Sequence, residues 1–191
     1  MMSRTVLLMS LLSIAVGIIG GCSSPNADEM LAQAQAAHDQ AQRAADSLGR
    51  NADAQALFGP VAAAYERVAF EHPSSLPAEQ ALFKAAELHA GYLQNVPRAI
   101  EMYKRFVDSF PMSSKAPTAL FMVGYLYNNH LGMTDSAAVA YKKFLQQYPQ
   151  NELATSAQFE LETLGKKPEE LLLARPDPQA ASAPPRTKTP Q

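Results

Sequence analysis

The sequence predicts an all-α protein, an α-solenoid of stacked antiparallel helix pairs. Three observations predict it. First, YERVAFEHP (65–73), YKRFVDSFP (103–111) and YKKFLQQYP (141–149) each open with Tyr and close with Pro, and successive copies lie 38 residues apart. A fixed period of that length marks stacked supersecondary units. Second, apolar residues between these stretches recur at helical spacing, as in Leu120, Val123, Gly124 and Tyr127. Third, the chain lacks Trp, is rich in Ala and Gln, and concentrates Pro near its C-terminus. That composition suits a helical body with unstructured ends.

The phase extends beyond the tyrosines and prolines. Ala81, Ala119 and Ala157 share it, as do Phe83, Phe121 and Phe159; Ala86 matches Gly124, and Ala99 matches Ala137. Each unit reads as two helices. The first spans about 75–92, then about 115–129 in the next unit. The second is closed by the proline, because the residue before Pro is pushed out of the helical region. The intervening turns, QNVPR and NNHLGMTD, hold the expected turn and cap residues. Thr134 or Asp135 is the expected cap of the helix carrying Ala137, Tyr141, Phe144 and Leu145. Small residues at the crossings (Ala86, Gly124, Ala99, Ala137) let two helices approach closely. The aromatic at 103 or 141 is expected to fill the gap against the next unit.

Gly124, Tyr127, Ala137, Tyr141 and Pro149 reproduce, position by position, the pattern of the tetratricopeptide repeat, which the body therefore resembles. Two departures stand out: the unit is 38 residues rather than the usual 34, with the extra length assigned to the turn within each pair, and Leu120 stands where Trp is usual. The resemblance implies a right-handed solenoid. It is strong over 75–165 and weaker over 27–73, which reads as a degenerate first repeat with Leu48 at the phase of Gly124. Residues 151–164 read as a capping helix. The expected organisation is a leader over 1–21, a tether over 22–27, a repeat domain of about three repeats plus cap over 28–165, and a Pro-rich disordered tail over 166–191. Within the tail, PEELLLARP is expected to add at most a short helix against the last repeat.

Arg4 precedes a short apolar run (6–19) that ends in small residues, which describes a secretory signal peptide too short to span a membrane. Ile19-Gly20-Gly21-Cys22 resembles the lipobox of bacterial lipoproteins. That resemblance implies a diacylglycerol on the Cys22 thiol, cleavage just before it, and acylation of the new N-terminus. A thiolate is the nucleophile such lipid transfer needs, and several acyl chains anchor stably where one is marginal. Ser23, rather than Asp, follows the cysteine, which implies the outer membrane with the body facing the periplasm.

Net charge is −2, so the chain has no basic balance suited to nucleic acid. The lone cysteine precludes an internal disulfide. No catalytic set, cofactor motif or metal-ligand spacing is visible. His38, His72, His89 and His130 fall in separate helices or turns, and His89 takes the place of Tyr127 as an ordinary packing residue. Glu169-Glu170 and Lys166-Lys167 read as a solvated helix end. Arg67, Lys104, Arg105, Lys142 and Lys143 form a basic ridge on the second helices, read as solvent-exposed. Most of Tyr103, Phe106, Phe110, Tyr141, Phe144 and Tyr148 are expected to be core.

In tetratricopeptide arrays the first helices line a concave peptide groove. The resemblance places Phe83, Glu87, Thr118, Phe121, Tyr125, Asn128 and Phe159 there, although Phe83, Phe121 and Phe159 fit burial between repeats equally well. The loop 128–134 is a further candidate contact. The lipid anchor and repeats together are similar to the BamD family of outer-membrane assembly lipoproteins. They are also similar to the repeat domain of the CpoB (YbgF) family, which works with the Tol-Pal system. This chain is shorter than the first and lacks the coiled coil of the second. The implied function is a non-enzymatic envelope scaffold that binds protein partners, among them outer-membrane assembly components. The alternative is a subunit of a pilus, secretion or Tol-Pal-type machine.

Overall fold

The computed structural model describes residues 25–49 and 53–166. Cys22, the leader 1–21, the start of the tether and nearly all of the tail 166–191 lie outside the described residues. Among the described residues there are seven helices and no strand: α1 (Ala27–Leu48), α2 (Ala54–Glu71), α3 (Leu76–Gly91), α4 (Val96–Ser109), α5 (Ala116–Asn129), α6 (Thr134–Gln147) and α7 (Ala154–Thr163). Each packs chiefly on its chain neighbours, the hallmark of a solenoid. None of them is long and apolar enough to cross a membrane.

Local chemistry sets most helix starts. Asn26 accepts from the Glu29 amide while Glu29 reaches back to the Asn26 amide, a full capping box. Asp53, Ser75 and Asn95 cap α2, α3 and α4 through side-chain oxygens. α5 and α6 have no side-chain cap. The expected cap at Thr134 or Asp135 is thus corrected: the helix already includes Thr134, and Met133 takes the cap position.

The second helices end alike. His72, Phe110 and Tyr148, each before its proline, have φ of −131, −130 and −130° and ψ of 56, 57 and 52°. Proline forbids the helical region at all three. The extra length of the period lies elsewhere than expected. Only residues 92–95 and 130–133 separate the helices within each pair, whereas 110–115 and 148–153 link one pair to the next. The extension falls in the longer, proline-initiated connections.

Between the helices of a pair, the aromatic closes its own crossing rather than the gap to the next unit. A Cβ built on Gly124 would meet three Tyr141 ring carbons at 2.7, 2.8 and 2.9 Å, so only glycine lets this ring lie flat on α5. Phe83 packs on Tyr103 and Phe106, with ring centroids 5.6 and 5.3 Å away. Phe121 packs on Tyr141 and Phe144 at 5.6 and 6.1 Å. Tyr103, Phe106, Tyr141 and Phe144 are buried, and Phe110 and Tyr148 pack half-buried beside them.

The first pair keeps phase only in its second helix. Tyr65 is buried like Tyr103 and Tyr141, but Leu48 is half-exposed and ends α1. It makes no close crossing. α1 instead presents Met30, Leu31, Ala34 and Ala41 to the core, and His38 Nδ1 meets the Tyr65 hydroxyl at 3.3 Å. The seam to the next pair is sealed by Tyr92, which stacks on Phe58 at 3.9 Å and donates to Gln42 Oε1 at 3.0 Å.

His89 is also not an ordinary packing residue. Its Nε2 lies 2.6 Å from Glu66 Oε1, and Glu66 also takes two contacts from the Arg98 guanidinium. Arg98 reaches Glu101 as well. The network ties α2, α3 and α4 together. Burial alone would push the Glu66 carboxyl up, but the hydrogen bonds from Arg98 and His89 outweigh it and hold the carboxyl below its ordinary value. A carboxyl lowered in the fold adds stability that is present above the unfolded pKa, about 4.3, and is lost as pH falls through the folded value. Glu66→Gln is therefore expected to lower stability at pH 7 by about 1–2 kcal/mol. It is also expected to flatten the acid limb, as read by urea midpoints at pH 7 and pH 3.5.

Candidate peptide groove

The first helices α3 and α5 lie on either side of a concavity of about 410 Å³. Its floor combines Phe83 and Ala90 from α3 with Met122 and Leu126 from α5, and Tyr103 from α4 rises between them. Polar groups edge the floor: Glu87, Thr118, Tyr125 and His130. Burial, reinforced by the Glu87 carboxylate, pushes the Tyr103 phenol well above its ordinary value. It therefore stays a neutral O–H that can donate or accept. Lys84 pairs with Glu87 at 2.8 Å, and Lys115 sits 4.9 Å over the Phe83 ring. Tyr125 meets the His130 ring edge at 5.9 Å. An apolar floor with a few convergent hydrogen-bonding groups is the usual chemistry of a recognition groove.

The structure brings four of the seven expected groove residues together: Phe83, Glu87, Thr118 and Tyr125. The other three lie elsewhere. Phe121 is spent in the clamp on Tyr141 and Phe144. Asn128 faces the next seam, where its Nδ2 lies 3.5 Å from Glu160 Oε2 of α7. Phe159 stands on α7 with 59 % of its surface exposed. The choice left open for the phenylalanines resolves into neither option alone: Phe83 and Phe121 pack within their own pairs, and Phe83 also floors the groove. Met122 was not anticipated, and His130 only as part of the loop 128–134. Their signal was the run Thr118, Met122, Leu126, His130, spaced four apart on one face of α5 and its C-terminal turn. Of the loop 128–134, only His130 lines this concavity.

A second concavity, of about 450 Å³, opens on the other side between α4 and α6, with Leu120, Val123 and Tyr127 at its base. The basic ridge borders it, and its five cations are exposed. Four of them are already engaged: Lys104 donates to the Tyr127 hydroxyl at 3.2 Å and lies over that ring, Lys143 is 3.9 Å from Asp108, Arg67 is 3.6 Å from Glu71, and Arg105 lies 4.5 Å over the Phe70 ring. Its polar lining comes from Lys104, Asp108, Tyr127, Ser136 and Lys143.

Residues 80–113 and 118–151 each match the family described as tetratricopeptide repeat. The two central helix pairs are tetratricopeptide repeats. The matched segments cover most of α3–α4 and α5–α6 with the connections that follow them. The α1–α2 pair, whose first helix is out of phase, and α7 lie outside them. The described residues thus form an all-α solenoid whose two central pairs match the tetratricopeptide repeat, a fold that is generally a non-catalytic scaffold for protein–protein interaction. No curated protein matches the chain. Among the described residues, no group of three His, Cys, Asp or Glu side chains is placed to hold a metal ion.

Proposed function

We propose that this protein is a lipid-anchored scaffold of the cell envelope that holds a peptide segment of a protein partner between α3 and α5. The observation that carries the binding half is the groove itself, where Phe83, Glu87, Thr118 and Tyr125 converge with Tyr103, Met122 and His130 on one concave surface. Rigid stacked helices present such a groove without an ordering cost, and an extended or helical segment can lay apolar side chains on Phe83 and Met122. Thr118, Tyr125 and His130 then fix its register. The implied role is in outer-membrane protein assembly, on the similarity to that lipoprotein family. A role in a pilus, secretion or Tol-Pal-type machine would use the same groove with a different partner.

The anchoring half rests on Ile19-Gly20-Gly21-Cys22 and the small residues that admit a signal peptidase. The body would face the periplasm from the outer membrane. Intact mass of the protein extracted from membranes tests it. The expected species begins at Cys22 and carries diacylglycerol plus a fatty acyl chain. An unacylated chain beginning near Cys22 would refute the anchor while leaving the groove in place.

A further inference from the structure

Among the described residues, Gln94 is the one non-glycine residue with a positive φ, at 50°. An L side chain in that region is crowded by its own backbone, and such strain persists only where the surroundings over-determine it. The next repeat shows that glycine serves at this position. Gly132 stands in phase with Gln94, with φ 64°. The two turns are otherwise alike. Asn95 and Met133, the residues that follow, both have φ −90°, with ψ of 71 and 72°. Their amides donate at 2.8 Å to the carbonyls of His89 and Tyr127 in the preceding helices. One turn thus keeps a glutamine where the other uses glycine, and the backbone gives no reason for the difference.

The surroundings of Gln94 supply one. It lines a concavity of about 400 Å³ with Ala90, Gly91, Val96 and His130. Ala90, Gly91 and His130 also line the α3–α5 groove, so the two concavities are continuous. Nothing lies within 4 Å of a Cβ built on Gly91, which leaves the passage between them open. From Phe83 to Gly91 the groove follows α3 for about 12 Å, and Gln94 lies just beyond, in the turn after α3. An extended segment rises about 3.3 Å per residue. Roughly four of its residues cover that length, and the next one or two meet Gln94.

The chemistry at that end is specific. The Gln94 side chain is exposed, and a carboxamide offers both donors and an acceptor, which matches a peptide group. An extended chain carries main-chain N–H and C=O groups that need partners, whereas a helix has already paired its own. The apolar floor at Phe83, Met122 and Leu126 can take side chains but pairs no main chain.

We propose that the groove continues past His130 to Gln94 and takes an extended polypeptide segment, whose main chain pairs with the Gln94 carboxamide. Gln94 is then a specificity-determining residue that selects an extended segment over a helical one. The inference rests on the α3–α5 groove as the partner surface.

The test uses the full chain in cells, with a photo-crosslinking amino acid at 125, and compares the parent with Gln94→Gly. The variant is expected to lower the yield of crosslinked partner about three- to tenfold, the loss of one hydrogen bond. The same variant, extracted and melted, is expected to keep or raise its midpoint, by up to about 4 °C, because glycine holds a positive φ without strain. Gly132→Gln is expected to do the reverse, with a lower midpoint and undiminished capture. A yield from 125 unchanged by Gln94→Gly would overturn the inference and leave the groove in place, as a helical segment would give. A Gln94→Gly midpoint below the parent's would also overturn it, since Gln94 would then serve the fold. No capture from 125 in the parent would overturn the groove and this inference together.

Discussion

Phe106→Ala is expected to lower stability by about 3–5 kcal/mol, the range for truncating a fully buried phenylalanine. Phe106 has no exposed surface, and its ring supports Phe83 at 5.3 Å and Phe110 at 5.8 Å. Truncation removes buried apolar area and leaves a cavity that helices pinned on both sides cannot close. Position amplifies the effect. α4 sits in the middle of the array, and each repeat is stabilised mainly by its neighbours, so weakening it uncouples the α1–α3 side from the α5–α7 side. A single unfolding transition is expected to drop by roughly 10 °C and to broaden or split. Phe144→Ala, at the equivalent position nearer the end, is expected to destabilise α6 and α7 while the first two pairs remain folded. Phe110, half-buried in the connection, is the internal comparison. If Phe110→Ala cost as much as Phe106→Ala in thermal melts, the aromatic clamp would not be the source of repeat stability.

Gly124→Ala is expected to destabilise, against helix propensity. In an open helix interior the change from Gly to Ala gains about 1 kcal/mol. Here the added methyl meets the Tyr141 ring at 2.7 Å, and that ring is wholly buried against Phe121. Overpacking of this kind costs about 1–3 kcal/mol, so the net expectation is a loss of roughly 1 kcal/mol, rising with Gly124→Leu to the upper end of that range. Gly91 supplies the opposite sign. Nothing lies within 4 Å of a Cβ there and its φ is not positive, so Gly91→Ala is expected to be neutral or slightly stabilising. Pairing Gly124→Ala with Tyr141→Leu should give less than the sum of the two losses, since they share one contact. Denaturant midpoints of the parent, the two single variants and the double variant check this; strict additivity would mean that the ring and the glycine do not meet.

The solenoid was legible because its stabilising contacts repeat. Tyr65, Tyr103 and Tyr141 are buried alike, and the three residues before the prolines share one backbone conformation, so a period in sequence maps directly onto a period in packing. What the period could not reveal occurs once. Glu66 is in phase with Lys104 and Lys142, and Arg98 with Ser136, so the buried network of Glu66, His89 and Arg98 has no counterpart in the other repeats. The same holds for Tyr92 on Phe58. α1 fell out of phase because its pair is closed by His38 and Tyr65 rather than by a small residue at 48. In the groove, the resemblance grouped Phe83, Glu87, Thr118 and Tyr125 with Phe121, Asn128 and Phe159, since a repeat pattern does not say which side chains of a first helix line the concavity.

The central claim, that the α3–α5 concavity is the partner-binding surface, is tested most directly by photo-crosslinking in cells from two positions of the same protein. One is Tyr125, on the groove edge, and the other is Val139, 69 % exposed beside the α4–α6 concavity. The expected result is capture of an envelope protein from position 125, reduced by Met122→Glu, with no equivalent capture from 139. An outer-membrane assembly component would support that role; a Tol-Pal, pilus or secretion protein would move the scaffold to that machine. Capture from 139 alone would contradict the assignment and place binding on the outer, basic side of the repeats.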